Sequence, residues 1–149
     1  MPAGGVRVGP SCVLDASALL AFLREEPGAE AVARALEAGA AMSAANWAEV
    51  LSKAAEVGED PDTLAERLQR DGLLGDALQV VALNAADGPG IARLRPITRE
   101  RGLSLADRAC LALAQPLALP ALTTDRAWAG LGLAVTGRAR APLTATRSR

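Results

Sequence analysis

At 149 residues, the chain suits one domain, and a chain of that size buries roughly 70% of the surface its unfolded form exposes. Half of the residues are apolar, which supports a core without disulfides or a structural metal. With no histidine and two distant cysteines, Cys12 and Cys110, the composition excludes a Ser-His-Asp triad, an imidazole general base, His-bound zinc and a disulfide framework. The net charge of −1 hides an asymmetry: residues 1–90 carry 6 basic and 14 acidic side chains, whereas residues 91–149 carry 10 and 3. A basic half suits a polyanion, and it equally suits solvated helix faces with a loose arginine tail.

Residues 1–10 are rich in Gly and Pro and read as a flexible extension. No segment has the apolar length of a signal peptide or a membrane span, so a cytoplasmic protein is expected. Ser11–Asp15 reads as a short buried strand and Ala16–Glu26 as a helix stopped before Pro27. Ala29–Ala38 is expected to be a second helix, with Gly39 as its C-cap. A weak strand over Ala40–Met42 precedes a long helix capped by Ser43 and ended near Val57 by Gly58. Asp60-Pro61 starts another helix, to about Arg70, with Asp as N-cap and Pro in the first turn.

Ala77–Leu83 reads as a buried strand, and Gly90–Arg101 as an arginine-rich helix that Pro96 kinks or shortens. Ser104 caps a helix through about Ala114. Ala121–Thr124 is expected to be a strand, Asp125–Gly130 a helical turn and Leu133–Thr136 the last strand. The polar, basic segment 137–149 reads as a disordered tail. Strands separated by helices predict an α/β domain over 11–136, its parallel sheet covered on both faces.

Asp15 and Asp125 each follow a short apolar strand, and open parallel sheets bind ligands beyond the carboxyl ends of their strands. Glu49 and Asp107 are set in apolar helices that follow a strand or loop. Each acid also has a plain reading. Asp15 and Asp125 suit helix caps, Asp107 stands at capping-box spacing from Ser104, and Glu49 shares a polar stripe with Asn46 and Lys53 that suits water. Together the four suggest one cluster. Two bare carboxylates 5 Å apart repel by about 3 kcal/mol at an effective dielectric near 20. Several such pairs either protonate or recruit a hard cation, and all-oxygen ligation with retained waters suits Mg²⁺ or Mn²⁺. A bound cation can activate water where no histidine is present.

The segments Val13–Ala21, Asn46–Val50, Leu103–Ala112 and Leu122–Arg126 resemble, in order and spacing, those of PIN-domain nucleases. The resemblance is strongest to the VapC-type ribonuclease toxins of bacterial toxin–antitoxin pairs, and it spans about residues 12–136. It implies a three-layer α/β/α sandwich with a central parallel sheet, and an acidic metal site of Asp15, Glu49, Asp107 and Asp125. It also implies that the hydroxyls of Ser17 and Thr123 support that site, although Ser17 suits a helix cap equally well. The activity implied is Mg²⁺-dependent endoribonuclease cleavage by a toxin that dimerises and is inhibited by a small antitoxin.

Phe22, Leu19 and Leu23 lie at helical spacing and are candidate anchors for such a partner, though Leu19 suits the core better. Arg108 and Arg126 directly follow two of the acids, and Arg93, Arg95, Arg99 and Arg101 form a denser stripe. Arg99, Arg101, Arg108 and Arg126 are therefore the candidate RNA-binding residues. Two rivals are weaker. A haloacid-dehalogenase-type phosphatase needs a second Asp where Ser17 stands, and its phosphate-binding Lys would have to be Lys53, which comes too early. A catalytically inert RNA- or partner-binding module accounts for neither the four acids nor the near absence of stacking aromatics.

Overall fold

A computed structural model describes residues 9–125, Trp128 and, for the backbone, 135–137 and 143–144. Its elements alternate in chain order: β1 (Cys12–Leu14), α1 (Ala16–Leu23), α2 (Ala29–Ala38), β2 (Ala40–Ser43), α3 (Ala44–Glu56), α4 (Pro61–Arg70) and β3 (Leu78–Val81). The second half carries α5 (Gly88–Arg93), α6 (Arg95–Thr98), α7 (Leu105–Ala114), β4 (Ala121–Leu122), β5 (Val135–Gly137) and β6 (Leu143–Thr144).

The strands form one sheet in the order β3-β2-β1-β4-β5-β6. Its first five members are parallel, and β6 is antiparallel to β5. Thus two residues of the segment expected to be a loose tail, Leu143 and Thr144, pair with the sheet edge. No described helix is long and apolar enough to cross a membrane.

Alternation along the strands builds two cores, one on each face. Leu14 and Met42 join Leu19, Val32 and Leu36 of α1 and α2 on one side. Val13 and Ala121 join Leu94, Leu103, Cys110, Leu111 and Ala114 on the other, together with Trp128. The result is the expected α/β/α sandwich. Leu19 is fully buried in the first core, whereas Phe22 and Leu23 are half-buried at its margin. Both cysteines are buried free thiols.

Local signals set most boundaries. Asp60 caps α4 through its side chain, with Pro61 at the first turn, and α2 ends at Gly39, whose φ of 95° is costly for residues with a Cβ. Helix α1 stops at Leu23, three residues short of the expected end. Pro27 disfavours helical backbone at Glu26, and Glu25 turns the chain with φ of 53°.

The arginine-rich segment departs furthest from expectation. Instead of one helix over 90–101 it forms α5, α6 and a 3-10 turn over Arg99–Arg101. Pro96 has no N–H for an intrahelical bond and crowds the preceding carbonyl, so the helix restarts there.

One topological feature positions the site. From β1 the chain moves to β2 on one side, and β4 later joins β1 on the other, which makes the gap above β1 and β4 a switch point. Helices α1 and α3 start at that carboxyl edge, α7 also packs against β1, and α3 contacts both α1 and α7.

Candidate metal centre

Asp15 ends β1 and is the N-cap of α1, with only 2% of its surface exposed. Its Oδ1 accepts hydrogen bonds from the Ala18 N–H at 2.8 Å and from Ser17 Oγ at 2.7 Å. Its Oδ2 accepts one from Thr123 Oγ1 at 2.5 Å. The backbone after β4 completes the arrangement. The Thr124 N–H donates to Ser17 Oγ at 3.0 Å, and the Asp125 N–H donates to Thr123 Oγ1 at 2.9 Å. Each hydroxyl thus receives an N–H from one strand end and gives its hydrogen to the carboxylate at another. With both hydrogens committed to Asp15, the 3.3 Å approach of the two hydroxyl oxygens is a packing contact.

Burial pushes the Asp15 carboxyl up to about 7. Hydrogen bonds from Thr123, Ala18 and Ser17 work against that rise, and the negative charge of Asp107 adds to it. Glu49, half-buried in α3, is also raised, by burial first and then by Asp107, with Lys53 opposing. Asp107 is therefore the charge that links the other two.

Asp107 occupies the third position of α7 in a capping box. Its Oδ2 accepts from the Ser104 N–H at 2.9 Å, while Ser104 Oγ accepts from the Asp107 N–H at 3.1 Å. The cap uses one carboxylate oxygen and leaves Oδ1 for a ligand. Below these acids the Cys110 thiol is raised well above its ordinary value, by burial and then by the charges of Asp15 and Asp107. It is held as a neutral core thiol.

Asp125 lies exposed just past β4, tied to the same edge by its backbone bond to Thr123. Asp15, Ser17 and Thr123 are thus joined by direct hydrogen bonds, Asp107 and Glu49 by electrostatic coupling, and Asp125 through its backbone. Among the described residues, no three acid, cysteine or histidine side chains are drawn into a closed metal-binding shell. The donors nonetheless fit a hydrated cation. All are hard oxygens, and Mg²⁺ is commonly held by one or two carboxylates while keeping several of its waters.

The candidate RNA-binding arginines separate. Arg99 and Arg101 are exposed on the 3-10 turn, three to five residues before Ser104. Arg108 is half-buried, and its Nη1 donates to the Ile91 carbonyl at 3.2 Å, tying α7 to α5. Arg126 lies outside the described residues.

One polar residue was misplaced by sequence reasoning. Asn46 shares no water-facing stripe with Lys53: it is 0% exposed, and neither its Nδ2 nor its Oδ1 has a partner among the described residues. The available signal was the spacing of Asn46, Val50 and Ala54, which are the buried positions of α3.

Comparison with known proteins agrees with this architecture. The family model described as PIN domain matches residues 12–132. A structure of a toxin–antitoxin complex from Klebsiella pneumoniae is similar at 22% identity, with 80% of this chain and 92% of that one covered and a TM-score of 0.58. A structure of FitAcB from Neisseria gonorrhoeae is similar at 23% identity, covering 83% and 95%, with a TM-score of 0.62. A structure of FitAB bound to a DNA fragment gives 20% identity, 87% and 96% coverage and a TM-score of 0.62. No curated protein matches. With its family model spanning most of the sequence over this sheet order and this acidic carboxyl edge, the chain belongs to the PIN domain family.

Proposed function

We propose that this chain is a Mg²⁺-dependent endoribonuclease, the toxin of a bacterial type II toxin–antitoxin pair. The observation that carries the reading is the buried Asp15 carboxylate, clamped by Ser17 and Thr123 and coupled electrostatically to Asp107, to which Glu49 is coupled in turn. Negative charge accumulates at a ligand-binding edge with no described cation set against Asp15. The family match and the toxin–antitoxin complex formed by the Klebsiella relative point the same way.

Asp15, Glu49, Asp107 and Asp125 would hold the cation, for which Mn²⁺ is an acceptable substitute. When bound, it supplies a lowered pKa for water and neutralises charge on the phosphoryl oxygens. The chain's own contribution is orientation. Ser17 and Thr123 fix the plane of the Asp15 carboxylate, and the capping box fixes Asp107 at the start of α7. Arg99 and Arg101, exposed on the approach to α7, hold the phosphates of a single strand.

In the same reading a homodimer acts in the cytoplasm and is silenced by a small antitoxin. The half-buried Phe22 and Leu23, at the far end of the helix that Asp15 caps, offer that partner apolar anchors. The test is cleavage of single-stranded RNA by the purified chain with Mg²⁺, with EDTA, and with Asp107→Asn in place of the native residue. Cleavage that needs both Mg²⁺ and Asp107 supports the nuclease. RNA binding without cleavage under every condition instead establishes an inert binding module. For the toxin role, expression alone should arrest growth and co-expression with a cognate small antitoxin should relieve it.

A further inference from the structure

Asn46 has a fully buried carboxamide with no described partner at either end. Burying an amide without hydrogen bonds costs more than the bonds themselves return, so such a group signals a missing partner. Its place in the fold says which one. The register Val13↔Ala41 between parallel β1 and β2, carried two residues on, sets Asp15 level with Ser43, the N-cap of α3. Asn46 stands in the first turn above Ser43 and one turn before Glu49, so the two share a side of the helix. Helix α3 packs between α1, which Asp15 caps, and α7, which carries Asp107.

We propose that Asn46 is a positioning residue of the acidic site. Its carboxamide hydrogen-bonds to water on the bound cation and orders the hydration shell between Asp15 and Glu49. An amide suits this task because it offers both a donor and an acceptor and adds no charge to a site already crowded with carboxylates. It also suits a site where, among the described residues, the acids do not close around an ion by themselves. The inference rests on the metal-dependent reading above.

The test is calorimetric titration of the full chain with MgCl₂ at pH 7.5, alongside melting curves with and without Mg²⁺. Asn46→Leu keeps the volume and removes both polar groups. It should weaken Mg²⁺ binding about 10-fold to 100-fold, the usual loss on removing an outer-shell partner, while leaving the metal-free Tm unchanged or higher. Asn46→Asp should lower the metal-free Tm and enlarge the Mg²⁺-induced rise in Tm. Asn46→Ala supplies the binding measurement if the leucine variant fails to fold, with the same weakening expected.

Wild-type Mg²⁺ affinity in these variants, with only the metal-free Tm altered, would show a purely structural amide and overturn the inference. If Asp107→Asn loses Mg²⁺ while the Asn46 variants keep it, the inference alone fails. A wild-type chain that binds no Mg²⁺ removes the metal site, and the inference with it.

Discussion

Thr123 Oγ1 and Asp15 Oδ2, 108 positions apart in sequence, meet at 2.5 Å across the junction of β4 and β1. The same hydroxyl accepts the Asp125 N–H. One oxygen thus orients a buried carboxylate and shapes the loop that carries a second acid. Thr123→Val keeps the side-chain volume and removes both roles. We expect a loss of about 1–3 kcal/mol from the stranded N–H and the weakened clamp, measured by urea unfolding. The Asp15 carboxyl should rise further, because the Thr123 bond pulls it down. The acidic limb of the pH–rate profile should then move to higher pH.

The metal-free protein should lose stability as pH rises towards neutrality. Asp15 has a folded value of about 7 against an ordinary 3.8, so between those values the native state binds more protons than the unfolded chain. Stability then falls with rising pH across that window and levels off above about 7. Glu49 is shifted in the same direction and adds to the slope. Mg²⁺ should offset the loss at pH 7.5, and Asp15→Asn should flatten the metal-free curve. A metal-free unfolding series from pH 4 to 8 reads both effects, and a profile rising through that range would contradict the assignment.

Neutralising Arg99 and Arg101 together, as Gln, should weaken RNA binding and leave the Tm unchanged, because both side chains are exposed. If each contacts one phosphate of a single strand, the slope of log affinity against log salt should flatten by about 1.4. Arg108→Met should do the reverse. It removes the bond to the Ile91 carbonyl, so stability should drop by about 1 kcal/mol with the salt slope little changed.

Ser104→Ala removes one half of the capping box and spares the other, since Asp107 still accepts from the backbone N–H of residue 104. A loss of about 1 kcal/mol is expected. Mg²⁺ affinity should fall less than in Asp107→Asn, a comparison that separates the cap from the ligand. Asp107→Asn should fold, because the change conserves volume, and should lose most metal-dependent cleavage.

The acids at the sheet edge were legible because strand, acid and helix cap are adjacent in sequence at Asp15, and the Ser104 to Asp107 spacing is local too. Helices α2 and α4 were legible for the same reason, through Gly39 and Asp60-Pro61. What escaped depends on neighbours far along the chain. Asn46 and Lys53 are both polar residues of α3, but only packing against α1 and α7 decides that one is sealed and the other wet. Arg108 reads as a charge beside an acid until Ile91, seventeen residues earlier, supplies its acceptor. The break between α5 and α6 was anticipated in kind at Pro96, though not the division into separate short pieces.

Asp15 caps α1 and Asp107 closes the capping box of α7, and this dual employment bears on how the fold evolves. At the Asp15 cap asparagine would serve about as well as aspartate, and a single base change converts one codon to the other. A gene copy therefore has a one-step route to a descendant that keeps its shape while shedding a carboxylate from the sheet edge.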